Sequence, residues 1–231
     1  MKKEFDILLK KIKLIPRNET ENLCLVGPVR LPVKQCDWEA NFRWYSWLPV
    51  EASTTAKQVV QNISTMNLAV GQQSSVLVYG DFEHADEVLI RMHSICHTGD
   101  IFGSQRCDCG YQLQESMKMI VEHGCGAIFY LADHEGRGIG LFSKSLAYLL
   151  QEEDYDTVEA NHALGFEDDT RSYEDAIKIL ETLRKKPVTL ITNNPKKLEA
   201  LKEHGLLADK HVPLWGGLTE TNRHYLQTKV E

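Results

Sequence analysis

This 231-residue chain lacks the sequence features that would place it in a membrane or in a disordered class. No apolar run is long enough to span a bilayer, and no segment has the pattern of a signal peptide. No repeat, low-complexity linker or clear domain boundary divides the chain. Hydrophobic residues make up 42% and charged residues 26% of it, which is ordinary for a folded domain. We therefore expect a soluble, cytoplasmic protein that does not contact membranes.

Positive charge is in deficit, with 26 Lys and Arg against 33 Asp and Glu and a formal net charge of −7. This balance disfavours bulk binding of nucleic acid, so we expect no nucleic-acid partner. A phosphate pocket, however, needs only a few local cations and backbone amides. Five cations inside glycine- and asparagine-rich turns could supply them: Arg91, Arg137, Arg171, Lys196 and Lys197.

Cysteine is scarce, but half of the six cysteines fall in one short run that begins at Cys96 and ends with Cys107 and Cys109. Two thiolates one residue apart and a third upstream can close on one metal ion, for which zinc is the default. Three protein ligands leave the fourth tetrahedral position open, as in catalytic zinc sites. If His93 or His97 were a fourth ligand, the site would be structural. The other cysteines show no ligand spacing: Cys24, Cys36 and Cys125.

A glycine-rich segment, residues 135–140 (Glu-Gly-Arg-Gly-Ile-Gly), is the second candidate site. It lacks the full dinucleotide-binding pattern. A backbone that approaches a phosphate closely, with Arg137 directed at it, fits the segment, and so does a plain tight turn. The residues alone leave both interpretations open.

Apolar periodicity predicts alternating strands and helices from residue 75 onward, which indicates an α/β architecture. The predicted strands are 75–79, 87–93, 127–132 and 187–192. The predicted helices are 111–123, 139–151, 172–185 with Ser172 as its cap, and one that starts at Asn194-Pro195. Before residue 75 we predict a basic amphipathic helix over 1–15, an aromatic strand over 37–47 and a short helix over 54–66. The motifs then fall at strand-to-helix turns, where α/β proteins place ligand sites.

Several blocks in fixed order resemble GTP cyclohydrolase II, the family that opens the riboflavin pathway. They are 91–100 (Arg-Met-His-Ser-Ile-Cys-His-Thr-Gly-Asp), 103–110, 135–141, 156–162, 164–166, 169–171, 192–197 and 225–229. The resemblance runs from about Val76 to the C-terminus and is weak over the first seventy residues. It implies a mixed sheet flanked by helices, with an N-terminal extension (1–70) that packs on a catalytic domain (71–231). It also implies a homodimer.

The resemblance assigns roles to individual residues. It implies one catalytic zinc per subunit on Cys96, Cys107 and Cys109, and Mg²⁺ that accompanies the triphosphate of GTP. The residues that correspond to the family's nucleotide contacts are Arg91, Met92, His93, Ser94, Gln112, Glu135, Gly136, Arg137, Thr157, Thr192 and Lys197.

Three further residues match the family's catalytic positions: Asp169 as proton acceptor, Arg171 as nucleophile toward the α-phosphate, and Tyr148 in completing ring opening and deformylation. The implied products of GTP are 2,5-diamino-6-(5-phosphoribosylamino)pyrimidin-4(3H)-one, formate and diphosphate. Because arginine stays protonated, charge stabilisation of the leaving diphosphate is the less demanding role for Arg171.

The chain departs from the family pattern at two positions beside the first metal cysteine. Ile95 stands where the family usually has Glu, and His97 stands where it usually has an apolar residue. These departures keep two alternatives open. One is a paralogue that stops at a formamidopyrimidine or serves a secondary pathway. The other is a non-catalytic nucleotide-binding protein with a structural zinc.

Overall fold

The eight strands of the residues that the structure describes form one mixed sheet. The structure, a computed structural model, describes residues 2–35 and 37–216, so Cys36 and the predicted motif at 225–229 lie outside the described residues. The strands are β1 (Ile12–Pro16), β2 (Glu21–Lys34), β3 (Glu39–Glu51), β4 (Ser75–Tyr79), β5 (Leu89–Ser94), β6 (Gly126–Leu131), β7 (Val188–Ile191) and β8 (Leu207–Val212). Their order is β1-β2-β3-β4-β6-β5-β7-β8. Neighbours from β1 to β6 pair antiparallel, and β6, β5, β7 and β8 are parallel.

The helices flank this sheet, which confirms the predicted fold class. They are α1 (Lys2–Leu9), α2 (Ala56–Asn62), α3 (His97–Asp100), α4 (Cys109–His123), α5 (Leu141–Gln151), α6 (Thr157–Ala163), α7 (Glu174–Leu183) and α8 (Pro195–Glu203). The predicted cap of α7 is wrong by one residue, because Tyr173 is the N-cap and Ser172 Oγ only accepts the Glu174 N–H at 3.4 Å. The α8 start is as predicted, with Asn194 Oδ1 accepting the Lys196 N–H.

The predicted helix over 1–15 is wrong in its second half. Helix α1 ends at Leu9, and Ile12–Pro16 instead forms β1, which pairs with β2. The β-branched Ile12 and Ile15 favour an extended chain, and Ile15 is buried opposite Leu23. Strands β1 to β3 thus extend the same sheet. The division of the chain at residue 70 stays a proposal.

Two apolar clusters cover the two faces of the sheet. Strand β6 is buried on both sides: Phe129 belongs to the larger cluster, whereas Ile128 belongs to the smaller one. Helices α7 and α8 cover the larger cluster, and α4 covers the smaller one through Met117 and Ile120. A strand buried on both faces is typical of the parallel part of an α/β sheet.

This topology brings the carboxyl ends of β5, β6 and β7 to one edge of the sheet. Strand β5 leads into Cys96, β6 leads into a 3₁₀ segment (Ala132–Gly138), and β7 leads into Thr192. The edge beyond the carboxyl ends of parallel strands is where α/β folds place ligands. Among the described residues, no helix has the length and apolar character that crossing a membrane requires.

Candidate active site

A cavity of about 830 Å³ opens at this edge, a volume in the usual range for a small-molecule site. Its walls include almost every site residue predicted from the sequence: Arg91, His93, Ser94, Cys96, Cys107, Cys109, Gln112, Glu135, Gly136, Arg137, Tyr148, Thr157, Asp169, Arg171, Thr192 and Lys197. Met92 does not line it. The Met92 side chain packs in the core, and its carbonyl accepts a 2.6 Å hydrogen bond from Lys197 Nζ.

The three predicted metal cysteines meet on the floor of the cavity. Their sulfur atoms lie within 4.8 Å of one another, and Cys96 Sγ is 3.6 Å from Cys107 Sγ. Zinc–thiolate bonds of ~2.3 Å in a tetrahedron require sulfur separations of about 3.8 Å. A Cβ added at Gly99 would lie 2.9 Å from Cys107 Sγ and 3.1 Å from Cys96 Sγ, so only glycine leaves the space between the thiols free. The donor set and the spacing fit a thiophilic metal.

The two histidines considered as fourth ligands have other partners. Within the described chain, the group of donors close enough to hold a metal contains the three cysteines only. The ring of His93 contacts the carboxylate of Asp100 at 3.0 Å. The ring of His97 lies edge-on to Phe102, with ring centroids 5.0 Å apart. This arrangement favours the open, three-ligand alternative over a closed structural site.

A buried cation faces the thiols. Lys144 Nζ donates to Cys96 Sγ at 3.2 Å and to Glu135 Oε1 at 2.6 Å. Hydrogen bonds from Cys107 and Cys109 lower the pKa of the Cys96 thiol far below its usual range, and the charge of Lys144 lowers it further. The pKa of Cys109 is raised by its hydrogen bonds with the other two thiols and by burial. The cluster therefore favours one thiolate on its own, and binding of a metal to all three sulfurs would release protons.

The glycine-rich segment after β6 is strained where it turns. Gly136 has φ 61° and Arg137 has φ 65°, so two successive residues adopt the left-handed conformation. A non-glycine residue in this region is uncommon, and such outliers concentrate at functional sites. The turn places both Glu135 and Arg137 on the cavity wall. Glu135 Oε2 also accepts the backbone N–H of His97 at 2.7 Å, which connects this turn to the segment that carries Cys96.

On another wall Asp169 holds Arg171 by two parallel hydrogen bonds. The Asp169 carboxylate accepts from Nε and Nη2 of Arg171, both at 2.7 Å. Burial raises the pKa of Asp169, but the bonds and charge of Arg171 outweigh it and lower the pKa to about 2. A carboxyl group with so low a pKa is a weak base near neutral pH. The geometry therefore suits Asp169 to orienting Arg171.

Arg171 also connects to a buried histidine. Its Nη1 donates to Ser94 Oγ at 3.2 Å. His134 Nε2 is 2.8 Å from the carbonyl of Ser172 and must donate to it, so Nδ1 accepts from Ser94 Oγ at 3.1 Å. Burial lowers the pKa of His134 to about 4, so the imidazole is neutral at physiological pH. Sequence reasoning assigned no role to His134.

The polar wall near β5 and β7 is pre-organised by buried side chains. Arg91 Nη2 donates to Gln112 Oε1 at 2.5 Å, and Gln112 Nε2 donates to Asp108 Oδ2 and to the carbonyl of Leu214. Such fixed donors and acceptors can discriminate the edges of a base, because an unmatched buried partner is costly. Thr157, the first residue of α6, also lines the cavity, and Asp156 directly before it forms a capping box with Glu159.

Tyr148 stands beside the cysteines on α5. Its hydroxyl lies 3.4 Å from Thr98 Oγ1, and Thr98 Oγ1 lies 3.7 Å from Cys96 Sγ. The guanidinium of Arg106 stacks on the phenol ring at 4.7 Å from its centroid. Burial raises the pKa of Tyr148, so the phenol keeps its proton. The site therefore places a neutral O–H donor near the cysteine cluster.

The residues that contact the predicted set but were not identified from the sequence include Asp100, Arg106, His134 and Lys144. For Lys144 a signal existed, because it lies four residues before Tyr148 and thus on the same face of α5. Asp100 and Arg106 sit in the metal-binding run, but nothing in their spacing indicates which side chain they contact.

The fold and cavity define an α/β enzyme with a three-cysteine cluster that could hold a metal ion and a cation-rich polar pocket. A sequence model of the family described as GTP cyclohydrolase II matches residues 53–213, from just after β3 to the end of β8. The chain belongs to the GTP cyclohydrolase II family, as its motifs predict, and is a hydrolase of that class.

Individual relatives agree with the family match. The chain is 48% identical over 161 residues to GTP cyclohydrolase-2 of Colwellia psychrerythraea, which covers 70% of this chain and 79% of that protein. It is also 48% identical to GTP cyclohydrolase-2 of Streptomyces coelicolor, covering 70% of this chain and 72% of the relative. A third relative at 48% identity is the riboflavin biosynthesis protein RibBA of Bacillus subtilis, of which the match covers 40%.

Proposed function

We propose that this protein hydrolyses GTP, opening the imidazole ring of guanine and releasing formate and diphosphate. The product is 2,5-diamino-6-(5-phosphoribosylamino)pyrimidin-4(3H)-one. The observation that carries the proposal is that one cavity combines a three-cysteine cluster with Arg171 and other cations. Ring opening needs activation of water at C8, and loss of diphosphate needs positive charge at the phosphates, so both requirements have candidate groups in the same space.

The cysteine cluster is the proposed ring-opening end. A zinc ion held by Cys96, Cys107 and Cys109 would supply Lewis acidity and activated water at neutral pH. Lys144 balances the thiolate charge, and Tyr148 presents a protonated hydroxyl beside the cluster. That hydroxyl is suited to donating a proton to a ring nitrogen as the C–N bond breaks.

The Asp169–Arg171 pair is the proposed phosphate end. Arg171 keeps its charge and is held in one orientation by two hydrogen bonds, so it can stabilise the negative charge that develops on the leaving diphosphate. Lys196 lies 3.6 Å from Asp169 and lines the same cavity, which adds a second cation there. Mg²⁺ bound to the triphosphate would share this neutralising role.

The pre-organised polar wall is the proposed nucleotide-recognition surface. Arg91 on β5, Gln112 in the first turn of α4 and Thr192 directly after β7 are almost fully buried. Hydrogen bonds among buried groups fix their orientation, which favours discrimination of guanine from other bases. Met92 contributes to this recognition surface through its backbone only, because its carbonyl positions Lys197.

An incomplete reaction is the second candidate function, and the observation that favours it is Ile95. This side chain lines the cavity directly before Cys96 and is only 6% exposed, so it brings an apolar surface to the metal-binding segment. An apolar neighbour could slow the second addition of water and leave a formamidopyrimidine.

Phe142, Leu146 and Leu149 form an exposed apolar face on α5. This face supports a homodimer as the working form, and we propose cytoplasmic localisation.

GTP turnover tests the proposal directly. The protein loaded with Zn²⁺ is incubated with GTP and Mg²⁺, and formate, diphosphate and the pyrimidine are quantified together. Equal amounts of formate and diphosphate, with the deformylated pyrimidine by mass, support the full reaction. Diphosphate with a product that retains the formyl carbon supports the incomplete reaction. Bound GTP without any product overturns both and favours a binding protein.

A further inference from the structure

Asp100, at the end of α3, is a buried carboxylate that contacts three other residues. Its side chain is 2% exposed. Oδ2 accepts the backbone N–H of Cys96 at 3.0 Å and the hydroxyl of Tyr130 at 3.0 Å, and both oxygens lie 3.0–3.1 Å from His93 Nε2. One side chain thus joins the first metal-binding cysteine to a histidine on the cavity wall. The established family match and the sequence motifs assign it no role.

The contacts of His93 fix its protonation pattern. Nε2 faces only carboxylate oxygens of Asp100, which accept, so Nε2 must carry the proton. Nδ1 faces Nε of Arg91 at 3.4 Å, which donates, so Nδ1 must offer a lone pair. The ring also stacks on Tyr130, with centroids 5.6 Å apart and planes 15° from parallel. His93 is therefore held as the neutral Nε2–H tautomer in one orientation.

The contacts of Cys96 form a closed turn. The backbone N–H of Asp100 donates to the Cys96 carbonyl at 2.7 Å, while the Asp100 carboxylate accepts the Cys96 N–H. This reciprocal pair closes the single turn of α3. It sets the backbone of Cys96, from which Sγ reaches the other two sulfurs across Gly99.

We propose that Asp100 is a positioning residue that couples the metal cluster to the nucleotide wall, a role that rests on the proposed function. The same carboxylate holds Cys96 in the geometry for metal binding and His93 in the tautomer that presents Nδ1 to Arg91. Supporting groups of this kind orient metal ligands and catalytic side chains without touching the substrate themselves.

The substitution Asp100→Asn isolates this role because it keeps the shape of the side chain. The amide oxygen would occupy the place of Oδ2, which accepts from Cys96 and Tyr130. The amide nitrogen would then present a donor to His93 Nε2, where a donor already stands, and would leave the amide oxygen, shared with Cys96 and Tyr130, as the acceptor for Nε2–H. This repulsion should displace the His93 ring or shift its proton toward Nδ1, against the donor of Arg91.

The first test uses the unaltered zinc-loaded protein. Long-range ¹H–¹⁵N NMR of histidine-labelled protein, with His93 assigned by its loss in His93→Gln, should show a protonated Nε2 and an unprotonated Nδ1. An Nδ1–H tautomer or a doubly protonated ring would overturn the proposal. This readout does not depend on turnover, so it also stands if the proposed GTP reaction fails.

The second test compares Asp100→Asn with Asp86→Asn, which makes the same change at a side chain that is 95% exposed. Asp100→Asn should change the Nε2–H signature, weaken Co²⁺ binding with a shift of the thiolate absorption bands, and lower kcat by about 10- to 100-fold. A variant with the spectra and kcat of Asp86→Asn would refute the coupling. If Asp100→Asn does not fold, the NMR result on the unaltered protein decides alone.

Discussion

Lys144 Nζ lies 3.2 Å from Cys96 Sγ and 2.6 Å from Glu135 Oε1, so one buried cation bridges the metal cluster and the glycine-rich turn. Lys144 is 9% and Glu135 is 6% exposed. Charges buried this deeply must be paired, and the removal of one partner leaves the other uncompensated. The pair therefore links the position of the turn that carries Arg137 to the charge state of the cysteines.

Replacement of Lys144 by methionine should destabilise the protein and weaken metal binding. Methionine fills a similar volume but leaves Glu135 as a buried, unpaired carboxylate, at a cost of roughly 3–5 kcal/mol. Metal affinity should fall by about 10- to 100-fold, because the cation no longer favours the thiolate of Cys96. Chemical denaturation and competition with a chelator measure the two effects.

The double variant Lys144→Met with Glu135→Gln separates charge from packing. Neutralising both partners should restore much of the unfolding free energy but not the metal affinity. Lys57→Met, on the exposed side of α2, serves as the surface control. Equal metal affinity in Lys144→Met and Lys57→Met would show that Lys144 does not support the cluster.

The three-thiol site makes a prediction about metal content. Cys107→Ser should abolish stoichiometric zinc and ring opening together, because two thiolates and an open position hold zinc poorly. Gly99→Ala should have a similar effect, since its new Cβ would lie 2.9 and 3.1 Å from two sulfurs, closer than the about 3.8 Å that separates thiolate ligands around zinc. Metal analysis after gel filtration measures both. Cys125→Ala, in the core away from the cluster, should keep its zinc.

The fold class and nearly all of the predicted residues that line the cavity could be identified from the sequence, because both depend on local sequence patterns. Apolar periodicity predicts β4 to β7 and helices α4, α5, α7 and α8, although not α3, α6 or β8, and short motifs at strand ends mark the site. The helix predicted over 1–15 fails since its second half gains more from pairing with β2 than local helix propensity provides. Pairing partners of this kind are distant in the sequence and leave no local signal.

Side-chain partnerships inside the site were also beyond the sequence. The Asp100 carboxylate contacts His93, which precedes it by seven residues, and Tyr130, which follows by thirty. The sequence identifies each residue but not the neighbour that its side chain faces. The same holds for Ser94 and His134, forty residues apart, which meet only because β5 and β6 are parallel neighbours.

Arg171→Ala should lower the rate of diphosphate release by about 10²–10³-fold, the usual cost of removing one fixed donor to a developing negative charge. Arg171→Lys keeps the charge but loses the two-point contact with Asp169, so an electrostatic role predicts intermediate activity. A covalent role for Arg171 predicts that both variants are inactive. Rapid-quench measurement of diphosphate distinguishes them, and unchanged release in Arg171→Ala would rule out the phosphate-end assignment.

The apolar face of α5 predicts a dimer contact. Phe142 is 78%, Leu146 38% and Leu149 59% exposed, and their spacing of four and three residues places them on one helix face. Light scattering should give a dimer mass for the unaltered protein and half that mass for Phe142→Ser with Leu149→Ser. Val70→Ser removes a comparably exposed apolar side chain elsewhere and should remain dimeric. A monomer before any substitution would contradict the prediction.

His134 makes the stability of the protein depend on pH in a defined window. In the folded state burial lowers its pKa to about 4, whereas the unfolded chain takes up the proton near pH 6.5. Between these values the unfolded state binds more protons, so stability falls as the pH falls from about 6.5 to about 4 and changes no further below that. The difference corresponds to about 3 kcal/mol at this one residue. His134→Gln has no titrating ring, so its unfolding free energy should lack this part of the pH dependence.

The measurement is urea denaturation of both proteins at several pH values, with the difference between their unfolding free energies plotted against pH. Because acid also releases metal from thiolates in both proteins, that contribution cancels in the difference. A difference that stays constant from pH 7 to pH 4 would mean that His134 is not held neutral by burial.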